Sequence, residues 1–80
     1  MGELVELDLS GLKCPLPTLR TRRALIALPV GGLLRVVCTD PLAGIDIPHL
    51  VRAEGDRLEA QKRAGDTFIF VIRRAFPHVD

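Results

Sequence analysis

The chain has 80 residues, 48% of them hydrophobic, and a formal net charge of +1 at pH 7. That length makes one domain, residues 1–80, which buries only about 60% of the surface its unfolded form exposes, and the near-neutral balance excludes a global pull toward nucleic acid or membranes. Two cysteines are too few for a secreted disulfide scaffold, no apolar run is long enough to span a bilayer, and Glu3, Glu6 and Asp8 interrupt any signal-peptide pattern, so a soluble, cytoplasmic protein is expected.

Val5, Leu7 and Leu9 alternate with Glu6 and Asp8, the period of a half-buried strand. A loop from Ser10 to Lys13 follows. Pro15 to Leu28 reads as a helix, with Pro15 at the first position, where a missing N–H costs nothing, and with Pro29 and the Gly31-Gly32 pair ending it. Leu33 to Cys38 reads as a second strand, with Leu34, Val36 and Cys38 on one face and Arg35 on the other. In the segment Thr39 to Leu50, Asp40-Pro41 offers a helix start, but Pro48 would then fall inside the helix and remove a backbone donor. A turn after Asp40 and a helix restarting at Asp46 as N-cap is therefore predicted, ending at Gly55. Arg57 to Lys62 and Thr67 to Arg73 bracket Ala64-Gly65-Asp66 as a hairpin, with Phe68, Phe70 and Ile72 facing one way and Arg73 the other.

The order βαβαββ, with one-sided alternation, predicts an α/β (α+β) two-layer sandwich: a four-stranded mixed sheet with a parallel crossover pair, an antiparallel hairpin and both helices packed on one face. The uncovered face would carry Leu4, Leu33, Val37, Ile69 and Val71, which leaves a homodimer open. On the first helix, Thr18, Thr21, Leu25 and Leu28 form an uncharged stripe, with Pro17 and Ala24 along its edge, that belongs to the core. The other side mixes Leu16, Leu19 and Ile26 with Arg20 and Arg23. Apolar anchors ringed by arginine match a docking surface, although arginine stems lying over those leucines would give the same pattern.

Cys14 falls at or next to the N-cap of that helix, where free N–H groups and the helix dipole favour a thiolate and lower the thiol pKa. A persulfide anion on Cys14 would be favoured in the same way. Pro15 and Pro17 stiffen the approach, and Lys13 and Arg20 are candidates for favouring the anion, with Leu16 and Arg23 for docking. Cys38 reads as a small apolar filler on the inward face of its strand, although a Cys14–Cys38 redox pair stays open; the chain has no CxxC. His49 and His78 lie far apart, without a ligand at metal spacing, and no aromatic residues interleave with the arginines to stack bases, so neither zinc nor direct nucleic-acid contact is expected.

Three segments, LDLSGLKCPLPTLRTRRAL, VVCTDPLAGIDIP and GDTFIFVIRR, resemble the TusA/SirA family of small sulfur carriers from Leu7 to Arg74. The resemblance rests on the Gly-Leu-x-Cys-Pro-x-Pro run GLKCPLP and on the DP…DIP segment, Asp40-Pro41 and Asp46-Ile47-Pro48. It implies the four-stranded sheet with two helices on one side. It also implies that Cys14 accepts sulfane sulfur as a persulfide and passes it to a partner cysteine, in tRNA thiolation, molybdenum-cofactor maturation or sulfur oxidation. Such a chain is a sulfurtransferase-type carrier rather than a self-sufficient enzyme. Its partners would be a donor protein, a cysteine desulfurase or a rhodanese-like protein, and an acceptor protein, and it would hold no cofactor beyond the sulfur on Cys14. The family commonly has arginine before Gly-Leu where this chain has Ser10, so that role is either unfilled or passes to Lys13. Two other readings compete: a regulatory or adaptor module that binds partners through the first helix, and a thiol-redox protein using Cys14 with Cys38.

Overall fold

The computed structural model describes residues 4–75, which form β1 (Leu4–Leu9), α1 (Leu16–Ala27), β2 (Leu33–Cys38), α2 (Ala43–Ala53), β3 (Arg57–Ala64) and β4 (Thr67–Arg73). The sheet runs β1-β2-β4-β3. β1 and β2 are parallel, linked by the α1 crossover, while β4 pairs antiparallel with both β2 and β3. This is the mixed βαβαββ sandwich expected. Among the described residues no helix is long and apolar enough to cross a membrane. His78 lies outside the described residues.

The central strands β2 and β4 carry the alternation that defines the core. Leu34, Val36 and Cys38 on β2 and Phe68, Phe70 and Ile72 on β4 are buried, and they meet in register across the pair. The inward stripe of α1 (Thr21, Leu25, Leu28) and of α2 (Ala43, Ile47, Val51) closes over them. Each large aliphatic side chain so buried contributes about 1.5–3 kcal/mol. Gly44 allows α2 to lie close to the sheet: a Cβ there would stand 2.8 Å from the Phe68 ring. On the opposite face Leu4 is exposed and Leu33, Val37, Ile69 and Val71 are half-buried, interleaved with the ion pairs Glu6–Arg35 (2.8 Å) and Glu59–Arg73 (3.2 Å).

Three elements depart from expectation, two in their bounds and one in its burial. β3 runs two residues past Lys62, to Ala64, with a bulge between Leu58 and Ala60. As an edge strand it is mostly exposed, so alternation does not mark its end. On β1 only Leu9 is fully buried, Leu7 is partly so and Val5 is exposed, because β1 is the other edge. The largest correction is at α2. It begins at Ala43 rather than restarting at Asp46, and it runs through Pro48. Asp40 explains the early start: its Oδ1 accepts the Leu42 N–H (3.1 Å) and its carbonyl accepts the Ala43 N–H (3.0 Å). Pro48 then forfeits only one bond, to the carbonyl of Gly44 four residues earlier. At the far end the helix stops where predicted. Gly55 takes a left-handed φ of 79°, and the Gly55 and Asp56 N–H groups bond back to Arg52 (3.1 Å) and Val51 (3.0 Å), a Schellman closure.

α1 spans Leu16–Ala27, with Pro15 as its N-cap residue and Leu28 as its C-cap. Its terminal carbonyls are taken by Arg74, whose guanidinium donates to Ile26 (2.9 Å) and Leu28. The strand end after β4 is thereby tied to the end of the helix.

Candidate functional site

Because β1 and β2 are parallel and in register, Leu9 lies opposite Cys38, and the loops that leave the two strands emerge side by side. In open α/β sheets this carboxyl edge is where sites collect. The β1–α1 loop is held there by three contacts. Gly11 N–H donates to Thr39 Oγ1 at 2.8 Å, Leu12 N–H folds back on the Leu9 carbonyl at 3.1 Å, and Cys14 N–H donates to Asp40 Oδ2 at 2.6 Å. Asp40 therefore grips both the cysteine backbone and the first residues of α2. Ser10 turns back on its own strand, its N–H and hydroxyl both donating to Asp8 Oδ1 (3.0 and 2.6 Å). Those bonds hold the Asp8 carboxyl below its ordinary pKa.

Cys14 stands at the mouth of this loop, one residue before the N-cap, joined to Pro15 by a cis peptide. Its side chain is exposed, whereas Cys38 is sealed in the core at 0% accessibility. The expectation of a thiolate-favouring site is overturned. The Cys14 thiol donates to Asp46 Oδ2 at 3.5 Å, and its pKa is raised, first by that hydrogen bond, then by desolvation and by the charges of Asp46 and Asp40. At the helix entrance Pro15 and Pro17 have no N–H, and that of Leu16 is occupied by the Lys13 carbonyl at 2.9 Å, so the first turn has fewer free donors than an ordinary helix N-terminus. Lys13 and Arg20 are exposed, and neither is among the groups that set the thiol's pKa.

The remaining site residues divide between surface and core. Leu16 (43% accessible) and Leu19 (56%) are exposed beside Cys14, as the stripe analysis required. Arg23 joins Leu19, Arg22, Ile26 and Ala27 around a shallow groove of about 500 Å³ on the outer side of α1, and Arg22 also pairs with Glu54 at 3.6 Å. Pro15 is exposed, but Pro17 is buried and so belongs to packing rather than to docking. Cys38, 0% accessible and with its thiol pushed up to about 11 chiefly by burial, is poorly placed for exchange with Cys14. Sequence reasoning misses Asp46, which it predicts as a helix cap and which is instead the thiol's hydrogen-bond partner. The usable signal is the DP…DIP segment, which follows the strand parallel to β1.

Fold and site together define a small two-layer α/β protein that displays one thiol at the carboxyl edge of a parallel strand pair, ringed by carboxylates from the neighbouring turn and helix. A family model described as sulfurtransferase TusA matches residues 5–74. The chain belongs to the TusA family. It is 40% identical over 70 residues to the sulfur carrier protein TusA of Allochromatium vinosum, covering 88% of this chain and 92% of that protein. It is 41% identical over 69 residues to the protein of the same name from Pseudomonas syringae pv. syringae, covering 86% and 82%. The crystal structure of a SirA-like protein from Desulfitobacterium hafniense superposes with a TM-score of 0.76 over 91% of this chain and 99% of that one, at 20% identity, a likeness of fold.

Proposed function

We propose that this chain is a sulfur carrier: Cys14 accepts sulfane sulfur from a donor protein's persulfide and relays it to a cysteine of an acceptor protein. The observation that carries the reading is the exposure of one thiol, on a loop braced by Asp40 and Thr39, while the other cysteine is sealed away. Names of relatives 40% and 41% identical over most of the chain support it. The sulfur travels covalently, so no further cofactor is needed. Donor and acceptor supply the other reacting groups, and a cysteine desulfurase or a rhodanese-like protein has the chemistry of a donor. A free, exposed thiol fits the reducing cytoplasm.

Leu16 and Leu19 with Arg20 and Arg23 form the partner-facing side of α1, apolar anchors rimmed by positive charge. The same groove would serve an adaptor that makes no use of the thiol, so the two readings are separated at the sulfur. Incubating the protein with polysulfide or with a cysteine desulfurase and its substrate, then weighing it intact, should reveal the added mass of one sulfur atom, absent in Cys14→Ser. No gain on the wild-type protein overturns the carrier. Unimpaired partner binding and cellular function in Cys14→Ser would establish the adaptor instead.

A further inference from the structure

Sulfur uptake must remove a proton from Cys14, and the site places one acceptor against it. The thiol donates to Asp46 Oδ2 at 3.5 Å, from the first turn of α2. The other carboxylate at the site, Asp40, is engaged with the Cys14 and Leu42 backbone N–H groups rather than with the sulfur. The third charged neighbour, Lys13, precedes Cys14 in its own loop. No amide is offered to an anion by Pro15 or Pro17, and that of Leu16 is already bonded.

We propose that Asp46 is a catalytic residue of sulfur uptake, accepting the Cys14 proton as the sulfur attacks. The proposal rests on the carrier reading above. Cys14 Sγ attacks the terminal sulfur of a donor persulfide, R–S–SH. An Sγ–S bond forms as the donor's S–S bond breaks, and the bonding pair leaves on the donor cysteine sulfur. The Cys14 proton passes to Asp46 and from there to the departing thiolate, giving Cys14–S–SH and R–SH. The Cys14 sulfur is oxidised by as much as the donor cysteine sulfur is reduced, so no outside oxidant enters. With the thiol pKa raised by the same contact, little free thiolate is present near neutrality, and a route through the protonated thiol matters more.

Dithiodipyridine, a neutral disulfide whose reaction with Cys14 requires removal of the same proton, provides the test between about pH 6 and pH 10. The wild-type rate should level off on the acid side, where the thiol reacts with help from Asp46. Asp46→Asn should lose that plateau, running at least about tenfold below wild type near pH 6, and should overtake wild type in alkali, because removing the carboxylate lowers the thiol pKa. Asp46→Glu should keep the plateau. A wild-type rate that falls about tenfold per pH unit throughout, the behaviour of free thiolate alone, overturns the proposal even should Asp46→Asn fail to fold, as does an Asp46→Asn protein matching wild type near pH 6. Loading with inorganic polysulfide in alkali, read by intact mass, separates the two layers. No sulfur on wild type sinks the carrier, whereas sulfur on both proteins with equal acid-side rates sinks only the role of Asp46.

Discussion

Cys14 and Cys38 have the same side chain and both have a raised thiol pKa, yet the leading cause differs. Cys38 is raised chiefly by burial in the core cluster that holds Val36 and Phe68, with the charges of Asp40 and Asp8 adding to it, to about 11. Cys14 is exposed and is raised by a carboxylate in contact with it. Burial removes every destination for the proton, whereas a hydrogen-bonded carboxylate provides one. A raised pKa thus marks an inert filler in one place and a poised nucleophile in the other, and only the surroundings tell them apart.

The comparison breaks most sharply at the sulfur itself. Cys14→Ser should abolish sulfur loading and the alkylation of the folded protein by iodoacetamide while leaving the urea midpoint unchanged, since the side chain is exposed and lies outside the core cluster. Cys38→Ser should do the reverse: loading persists, but a hydroxyl set in apolar surroundings costs about 1–3 kcal/mol in urea unfolding. A next effect comes from Gly44, which holds α2 down on Phe68, the register partner of Cys38. Gly44→Ala should destabilise by about 1–3 kcal/mol despite alanine's better helix propensity, because the Phe68 ring must shift.

The pH dependence of stability sharpens the contrast further. The folded pKa of Cys38 lies above its ordinary value of 9.0, at about 11. The stability contributed by its neutral thiol is therefore complete below about pH 9 and is lost as pH rises through about 11. Urea midpoints of wild type should drop across that interval more than those of Cys38→Ala. The smallest effect belongs to Thr21, a polar residue in the position of an apolar filler, fully buried and with a hydroxyl that has no hydrogen-bond partner among the described residues. Thr21→Val should leave stability unchanged or raise it by about 1 kcal/mol, measured by thermal unfolding.

The two strands paired on both sides are legible from the sequence. Leu33–Cys38 and Thr67–Arg73 form at the expected bounds because each second residue must reach the core. The end of the edge strand β3 is not legible, since exposure along most of its length erases the pattern. The α2 start was misplaced because its anchor, Asp40, acts through its carboxylate as well as through sequence position. The exposure of Cys14 was also legible, from the proline-bracketed turn and the arginine-bearing helix face. Its electrostatics were not, because the decisive neighbour is 32 residues away in the chain. Helix-dipole reasoning counts donors along one helix and misses a carboxylate delivered by another.

The forked grip of Asp40, one oxygen on the cysteine loop and one on the turn into α2, makes those two segments mechanically one. The sulfur cannot swing outward on its loop without unfastening the entry to the second helix. A cargo-bearing arm of this kind is short and stiff, so each exchanging protein must bring its own reactive group to a stationary post. Delivery then depends on the reach of the visitor, and surfaces too flat to approach the post are turned away by shape alone.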